Sequence, residues 1–282
     1  MSADADLGYF GPGSLTWRVH AEPLTMVGGL RALLLQALHP EAMRLLYERS
    51  SFQDDPWARL QRTVIYVATV SFGTTAEVDA AAAHVREVHR RLGVTDREQL
   101  AWVHACEVSS FLTAARYAGV RLSSGDADTY VAEQVRAARL VGVPARLALH
   151  TVADIDGYFA AMRPRLRLTS EAQEAARVVI GPPLPVPRRW TVPARAGWTT
   201  LATLAVGLLP GWARQLYRLP PVPGAGIATH AGMRAARVAV AALPETWQHG
   251  PHYRRAMARA QLVTPASSAS SPSHGSTSGD AA

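Results

Sequence analysis

Lysine and asparagine are both missing from this chain of 282 residues, and all 29 of its basic side chains are arginine. The formal charge of +7 and the isoelectric point near 10.1 direct attention to nucleic acid or anionic lipid. An all-arginine basic set, however, is the mark of a bias toward GC-rich codons, and no motif interleaves these arginines with exposed aromatics, so nucleic acid is set aside as a partner. A single cysteine, Cys106, excludes an intramolecular disulfide and any all-cysteine metal site, and fits a reduced, intracellular setting. The opening MSADADLGYFGPGS is acidic, with neither the basic nor the apolar region of a secretory signal, so a cytoplasmic location is expected. The longest apolar stretch, 196–209, is shorter than the roughly 20 residues of a bilayer crossing and is interrupted by Gly197 and Gly207; it reads as a buried helix. Glycine-rich phosphate loops, His-Glu-x-x-His, Gly-x-Ser-x-Gly and Glu-x-x-His are all absent.

What is present is helix punctuation. Hydrophobic residues at 48% and charged residues at 18% suit a globular core, and alternating strand patterns are nearly lacking. Asp55-Pro56 reads as an N-cap and first helical position, opening a helix that runs to Phe72 and stops at Gly73. Thr74-x-x-Glu77 is a capping box whose helix ends at Gly93, and Thr95-x-x-Glu98 repeats the device with Gly119 as terminator. Asp126 is expected to start a helix ending near Gly142, and Ser170-x-x-Gln173 another. Upstream, Leu30, Leu33, Leu34 and Leu38 give one segment a core face, and His39-Pro40 separates it from a helix over Glu41 to Arg49. The expectation is an all-α fold: a single compact multi-helix domain over 14–262, after a flexible 1–13 and before a disordered, Ser/Ala/Gly/Pro-rich tail at 263–282.

Certain polar residues fall where these helices should be apolar. On the helix after Thr74, Val78, Ala82, Val85 and Leu92 share a stripe with His89, which nominates His89 for the interior and leaves His84 nearer solvent. His104 shares a face with Leu100, Val108, Phe111 and Ala115. Arg59 and Thr63 lie on one line with Val70, beside a stripe of Leu60, Val64 and Val67, with Arg62 and Tyr66 flanking. A cation and two imidazoles are costly among apolar side chains unless something satisfies them, and a buried cofactor is one such thing. The bland alternatives are hydrogen-bonded core histidines and a surface arginine lying over apolar neighbours.

With these residues in hand, the chain resembles the rubber oxygenases (latex clearing protein) and the endoplasmic-reticulum-bound oxygenase MpaB, a family with an all-helical haem b fold. The likeness runs from about Gly8 to about Leu262 and rests on GPGS and WR within Gly11 to Arg18, RALLLQALHP from Arg31, DPWARLQRT from Asp55, VREVHRR from Val85 and WVHACEVSSFL from Trp102. It implies that Arg59 and Thr63 match the Arg-x-x-x-Thr of the haem pocket. It also implies that Arg86 and His89 match the Arg-x-x-His whose histidine is the proximal iron ligand. A lysine that can cap the iron in rubber oxygenases is replaced by Arg62, which stays protonated and does not readily ligate, so the distal position is open, water-bound or filled by another group such as His104.

The implied activity is dioxygen activation at haem followed by oxidation of an alkene or another apolar carbon. Arg59 and Thr63 would stabilise negative charge on oxygen or hold a propionate, and Arg62 and Arg86 would border the cofactor. Implied partners are a small apolar substrate, isoprenoid- or lipid-like, dioxygen and an electron donor. Two other readings stand beside it: a non-catalytic helical carrier of an apolar ligand, and peripheral membrane contact through the Arg- and Trp-bearing segment from Arg188 to Trp212.

Overall fold

The computed structural model describes residues 6–49 and 55–263. Among them are α-helices and short 3-10 turns and no strand. In chain order the helices are α1 (Leu15–His20), α2 (Thr25–Gln36), α3 (Pro40–Arg49), α4 (Pro56–Phe72), α5 (Thr75–Arg91), α6 (Arg97–Ala118) and α7 (Ser124–Leu140). The second half adds α8 (Val152–Met162), α9 (Ser170–Ile180), α10 (Thr191–Gly207), α11 (Gly211–Leu216), α12 (Ala225–Ala241), α13 (Glu245–Gln248) and α14 (Pro251–Val263).

The helix starts show which local chemistry decides. Asp55 caps α4 by accepting from the Ala58 N–H at 2.9 Å, Pro56 occupies the first turn, and Gly73 ends the helix. Thr74 and Glu77 form both halves of the capping box on α5. Elsewhere the cap moves. Asp96, not Thr95, caps α6, its carboxylate accepting from the N–H groups of Glu98 and Gln99; an ionised carboxylate is the stronger acceptor and also complements the helix dipole. Ser123 caps α7, and Asp126 is the reciprocal third residue of that box, not the start. Thr169 caps α9 one residue before Ser170. Gly93 and Gly119 terminate their helices with φ of +69° and +95°, backbone that glycine adopts without a Cβ clash.

α6 is the axis of the molecule. Thirteen of its 22 residues are buried, and they point in every direction around the helix, as expected of one surrounded by others. The main core gathers Trp102, Cys106, Phe111 and Leu112 of α6 with Leu34, Leu35 and Leu38 around the end of α2, Tyr130 and Val131 of α7 and Phe159 of α8. α2 crosses α6 very closely at Gly28, where a Cβ would fall 2.7 Å from the Ser110 carbonyl oxygen. A reciprocal pair of bonds secures the same crossing: the Trp102 indole donates to the Gln36 carbonyl at 3.3 Å, and the Gln36 amide donates to the Val103 carbonyl at 3.1 Å.

Two expectations change in the folded chain. Residues 6–13, read as flexible, are held: Phe10 is buried beside Trp17 and Phe72, the Tyr9 hydroxyl donates to Asp79 at 2.6 Å, and the Asp6 carboxylate accepts from Thr75. Residues 1–5 and 264–282 lie outside the described residues, while Val263 still belongs to α14. The apolar stretch 196–209 forms most of α10, but only Ala202, Leu204 and Ala205 of that helix are buried and its N-terminal half lies at the surface.

One buried cation ties α6 to its neighbours. Arg31 of α2 donates to the Leu208 carbonyl at 2.8 Å and to the Ser110 hydroxyl at 2.7 Å, and its desolvation lowers the guanidinium pKa to about 10. Removing it would leave those acceptors unsatisfied as well as a void. Arg31→Ala is expected to destabilise the fold by about 3 kcal/mol in urea unfolding, whereas an Arg44→Ala change at the exposed Arg44–Glu48 pair should move it by less than about 1 kcal/mol.

Candidate active site

The site is built on one face of α4 and the helices it meets. Arg59, Thr63 and Tyr66 are spaced to share a face of α4. The Arg59 guanidinium sits close enough to the His89 imidazole of α5 to act on it: burial lowers the His89 pKa first, and the neighbouring Arg59 charge lowers it further. His89 is therefore a neutral imidazole near pH 7. Its Nδ1 is buried without a hydrogen-bond partner among the described residues, which leaves Nε2 as the nitrogen available to a ligand. His84, by contrast, is exposed.

Farther along that face, the Tyr66 hydroxyl is buried with no partner among the described residues, and its pKa is raised by burial and then by the nearby Glu107 carboxyl. Glu107 belongs to α6 and lies three residues after His104, on the same side of the helix. Burial alone raises its pKa to about 7, so near neutrality the carboxyl is poised between its acid and its base. His104 is depressed to about 4 by burial, partly offset by the Gln134 carbonyl. Beside it lies His20, at the end of α1, depressed to about 3 by burial and by His104. His20 is fixed by the Ser71 hydroxyl at 2.6 Å and the Tyr130 hydroxyl at 2.9 Å. His20, His104 and Glu107 are all strongly desolvated, each keeping a small share of accessible surface.

The residues singled out from the sequence thus divide. Arg59 and His89 come together. His104 joins His20 instead, with no interaction linking it to His89 among the described residues. Thr63 is exposed and its hydroxyl donates to the Arg59 carbonyl at 3.1 Å, an intrahelical bond that leaves its oxygen as an acceptor only. Arg62 is exposed, close enough to Arg59 to repel it, and neither arginine has a carboxylate partner among the described residues. Arg86 is directed elsewhere: it is exposed and donates to the Leu140 carbonyl at 2.8 Å, fastening α5 to the end of α7. Val64, placed by its spacing in a core stripe, is 55% exposed, and its neighbour Ile65 is 54% exposed.

Glu107 and His20 were not found from sequence. The signal for Glu107 was a lone acid inside an apolar helix three residues from a histidine, the reverse of the Glu-x-x-His order. His20 closes a short helix whose partners, Ser71 and Tyr130, are remote in sequence, and no local pattern marks it.

Among the described residues, no group of three or more histidines, cysteines or carboxylates could hold a bare metal ion. A haem needs only one protein ligand, because the porphyrin supplies the other nitrogens. The side chains on α4 and α5 fit such a group. His89 is neutral with an available nitrogen, Arg59 and Arg62 form an unpaired cationic pair suited to propionates, and Val64 and Ile65 offer accessible apolar surface. The family model described as "ER-bound oxygenase mpaB/B'/Rubber oxygenase, catalytic domain" matches residues 17–238, and the chain belongs to this family. No curated protein and no solved structure matches it.

Glu107 generates a pH signature. Its folded pKa is raised above the unfolded value near 4.5, so the folded state holds the extra proton between pH 4.5 and about 7 and loses stability as pH rises through that window. His20 and His104 act oppositely, with folded values depressed to about 3 and 4; their contribution is complete above the unfolded pKa of 6.5 and is lost as pH falls through the folded values. Comparing Glu107→Gln with the parent isolates the first effect. The variant should match the parent at pH 4.5 and be more stable at pH 8, by on the order of 2 kcal/mol in urea unfolding; equal stability at both pH values would refute the buried-acid assignment.

Proposed function

We propose that this chain is a haem b-dependent oxygenase that uses dioxygen to oxidise an apolar, isoprenoid- or lipid-like substrate. Membership of the family supports the oxygenase class, and the observation that carries the haem reading is His89, a desolvated, neutral imidazole beside an uncompensated guanidinium. When bound, the haem supplies dioxygen activation at its iron.

The chain's own residues provide the surroundings. His89 would hold the iron through its available Nε2. Its buried Nδ1–H, without an acceptor among the described residues, leaves the imidazole less electron-rich than one hydrogen-bonded to a carbonyl or carboxylate. Arg59 would meet a propionate, relieving its repulsion with Arg62. Thr63 accepts but does not donate while bonded to Arg59. Glu107, close to half-ionised near pH 7, can take up or release a proton at its carboxyl oxygens, with the unpartnered Tyr66 hydroxyl as neighbour. An electron donor supplies reducing equivalents, and the free, deeply buried Cys106 fits a reducing compartment such as the cytoplasm.

Purified protein is expected to show a Soret band at about one haem per chain, and His89→Ala to lose nearly all of it while remaining helical by circular dichroism. His84→Ala, on the exposed face of the same helix, should retain it. A second reading, a carrier of an apolar ligand, draws on the apolar slot between Leu33, Leu60, Trp57 and Trp198; colourless protein that copurifies with lipid and gains no Soret band on haem addition would favour it.

A further inference from the structure

The far end of the molecule carries apolar side chains that no other described element covers. α10 and α12 run antiparallel: Gly207 faces Thr229, and Leu204 faces Gly232. Moving back along α10 while moving forward along α12 therefore brings Trp190 and Val192 to the same end as Leu243 and Trp247. All four are exposed, Val192 at 79% and Trp247 at 77%. Ile180, the exposed last residue of α9, lines a cleft with Arg195 and Trp198 of α10, one turn or two along from Val192. Arg188, Arg189 and Arg195 stand exposed at this corner with no ion pair among the described residues.

Tryptophan, aliphatic and arginine side chains together suit the boundary between lipid headgroups and acyl chains, where the rings and arginine stems sit in apolar material and the guanidiniums meet phosphate. The charge selects the occupant. A second copy would bring another arginine cluster against this one, whereas anionic headgroups neutralise it. We propose that this corner, formed by the end of α9, the start of α10 and the end of α12, docks the protein on an anionic lipid surface.

The cleft at the corner adds a consequence. A cavity of about 220 Å³ lined by Ile180, Leu184, Arg195 and Trp198 adjoins a narrower apolar void of about 40 Å³ that reaches Leu60 on α4. A lipid-soluble molecule leaving the bilayer would meet a cleft of mixed polar and apolar lining that continues into an apolar void beside the helix that carries Arg59. That path rests on the oxygenase reading; the docking does not.

Flotation of the full chain with phosphatidylcholine vesicles, with and without phosphatidylglycerol, tests the docking whether or not haem is bound. The protein should float with the anionic vesicles only, and added salt should release it. Each tryptophan removed in Trp190→Ala/Trp247→Ala should weaken binding roughly tenfold or more, and each arginine removed in Arg188→Gln/Arg189→Gln/Arg195→Gln roughly fivefold. Because all these side chains are exposed, the variants should unfold at the parent's temperature. No flotation with anionic vesicles, or parent-like flotation of both variants, overturns the proposal. So does a dimer in sedimentation velocity that the tryptophan variant abolishes without changing lipid binding, which assigns the corner to a second copy.

Discussion

Desolvation of ionisable side chains inside a helical bundle is the constraint on which the rest of this structure depends. A charged imidazole or carboxylate loses several kcal/mol of hydration when buried without a partner, so the group abandons its charge instead. Here His89, His104 and His20 are driven toward the neutral form and Glu107 toward the protonated form. Neutral imidazoles are good metal ligands and hydrogen-bond acceptors, and an acid titrating near pH 7 is a good proton carrier. The chemistry available to the site thus follows from where the helices place these groups.

The placement depends on α6. Because it is buried on all sides, every residue along it faces some neighbour, and its polar residues must find an accommodation inside the fold. Ser110 does so with Arg31, and His104 with the Gln134 carbonyl. Glu107 has no comparable partner among the described residues and keeps its proton to higher pH. α4 then connects the two halves of the site, with Arg59 against His89 toward one end and Tyr66 near Glu107 roughly 10 Å along the axis.

Much of this was legible in the sequence where the information is local. The stripe through Val78, Ala82 and Val85 separated His89 from His84 correctly, because both lie on one helix and helical period alone decides which faces inward. Capping was legible to within a residue or a few: Asp96, next to Thr95, takes the N–H groups of Glu98 and Gln99, and Asp126 proves to be the reciprocal partner of the Ser123 cap, each accepting from the other's N–H. Long-range placement was not legible. Arg86 matches a pocket motif yet bonds to the end of α7, Val64 continues an apolar stripe yet faces outward, and His104 shares a face with core residues but bonds to the Gln134 carbonyl near His20. Each depends on which helix packs opposite, and periodicity within one helix carries no record of its neighbour.

The central claim is that the imidazole of His89 is the protein ligand of an iron porphyrin. The most direct measurement is resonance Raman spectroscopy of the dithionite-reduced protein in the region of the iron–imidazole stretch. The account predicts an iron–histidine band shifted by ¹⁵N labelling of histidine, at a frequency reflecting the weak hydrogen bonding of the sealed Nδ1. A reduced haem protein without such a band, or one whose band persists in His89→Ala, would contradict it.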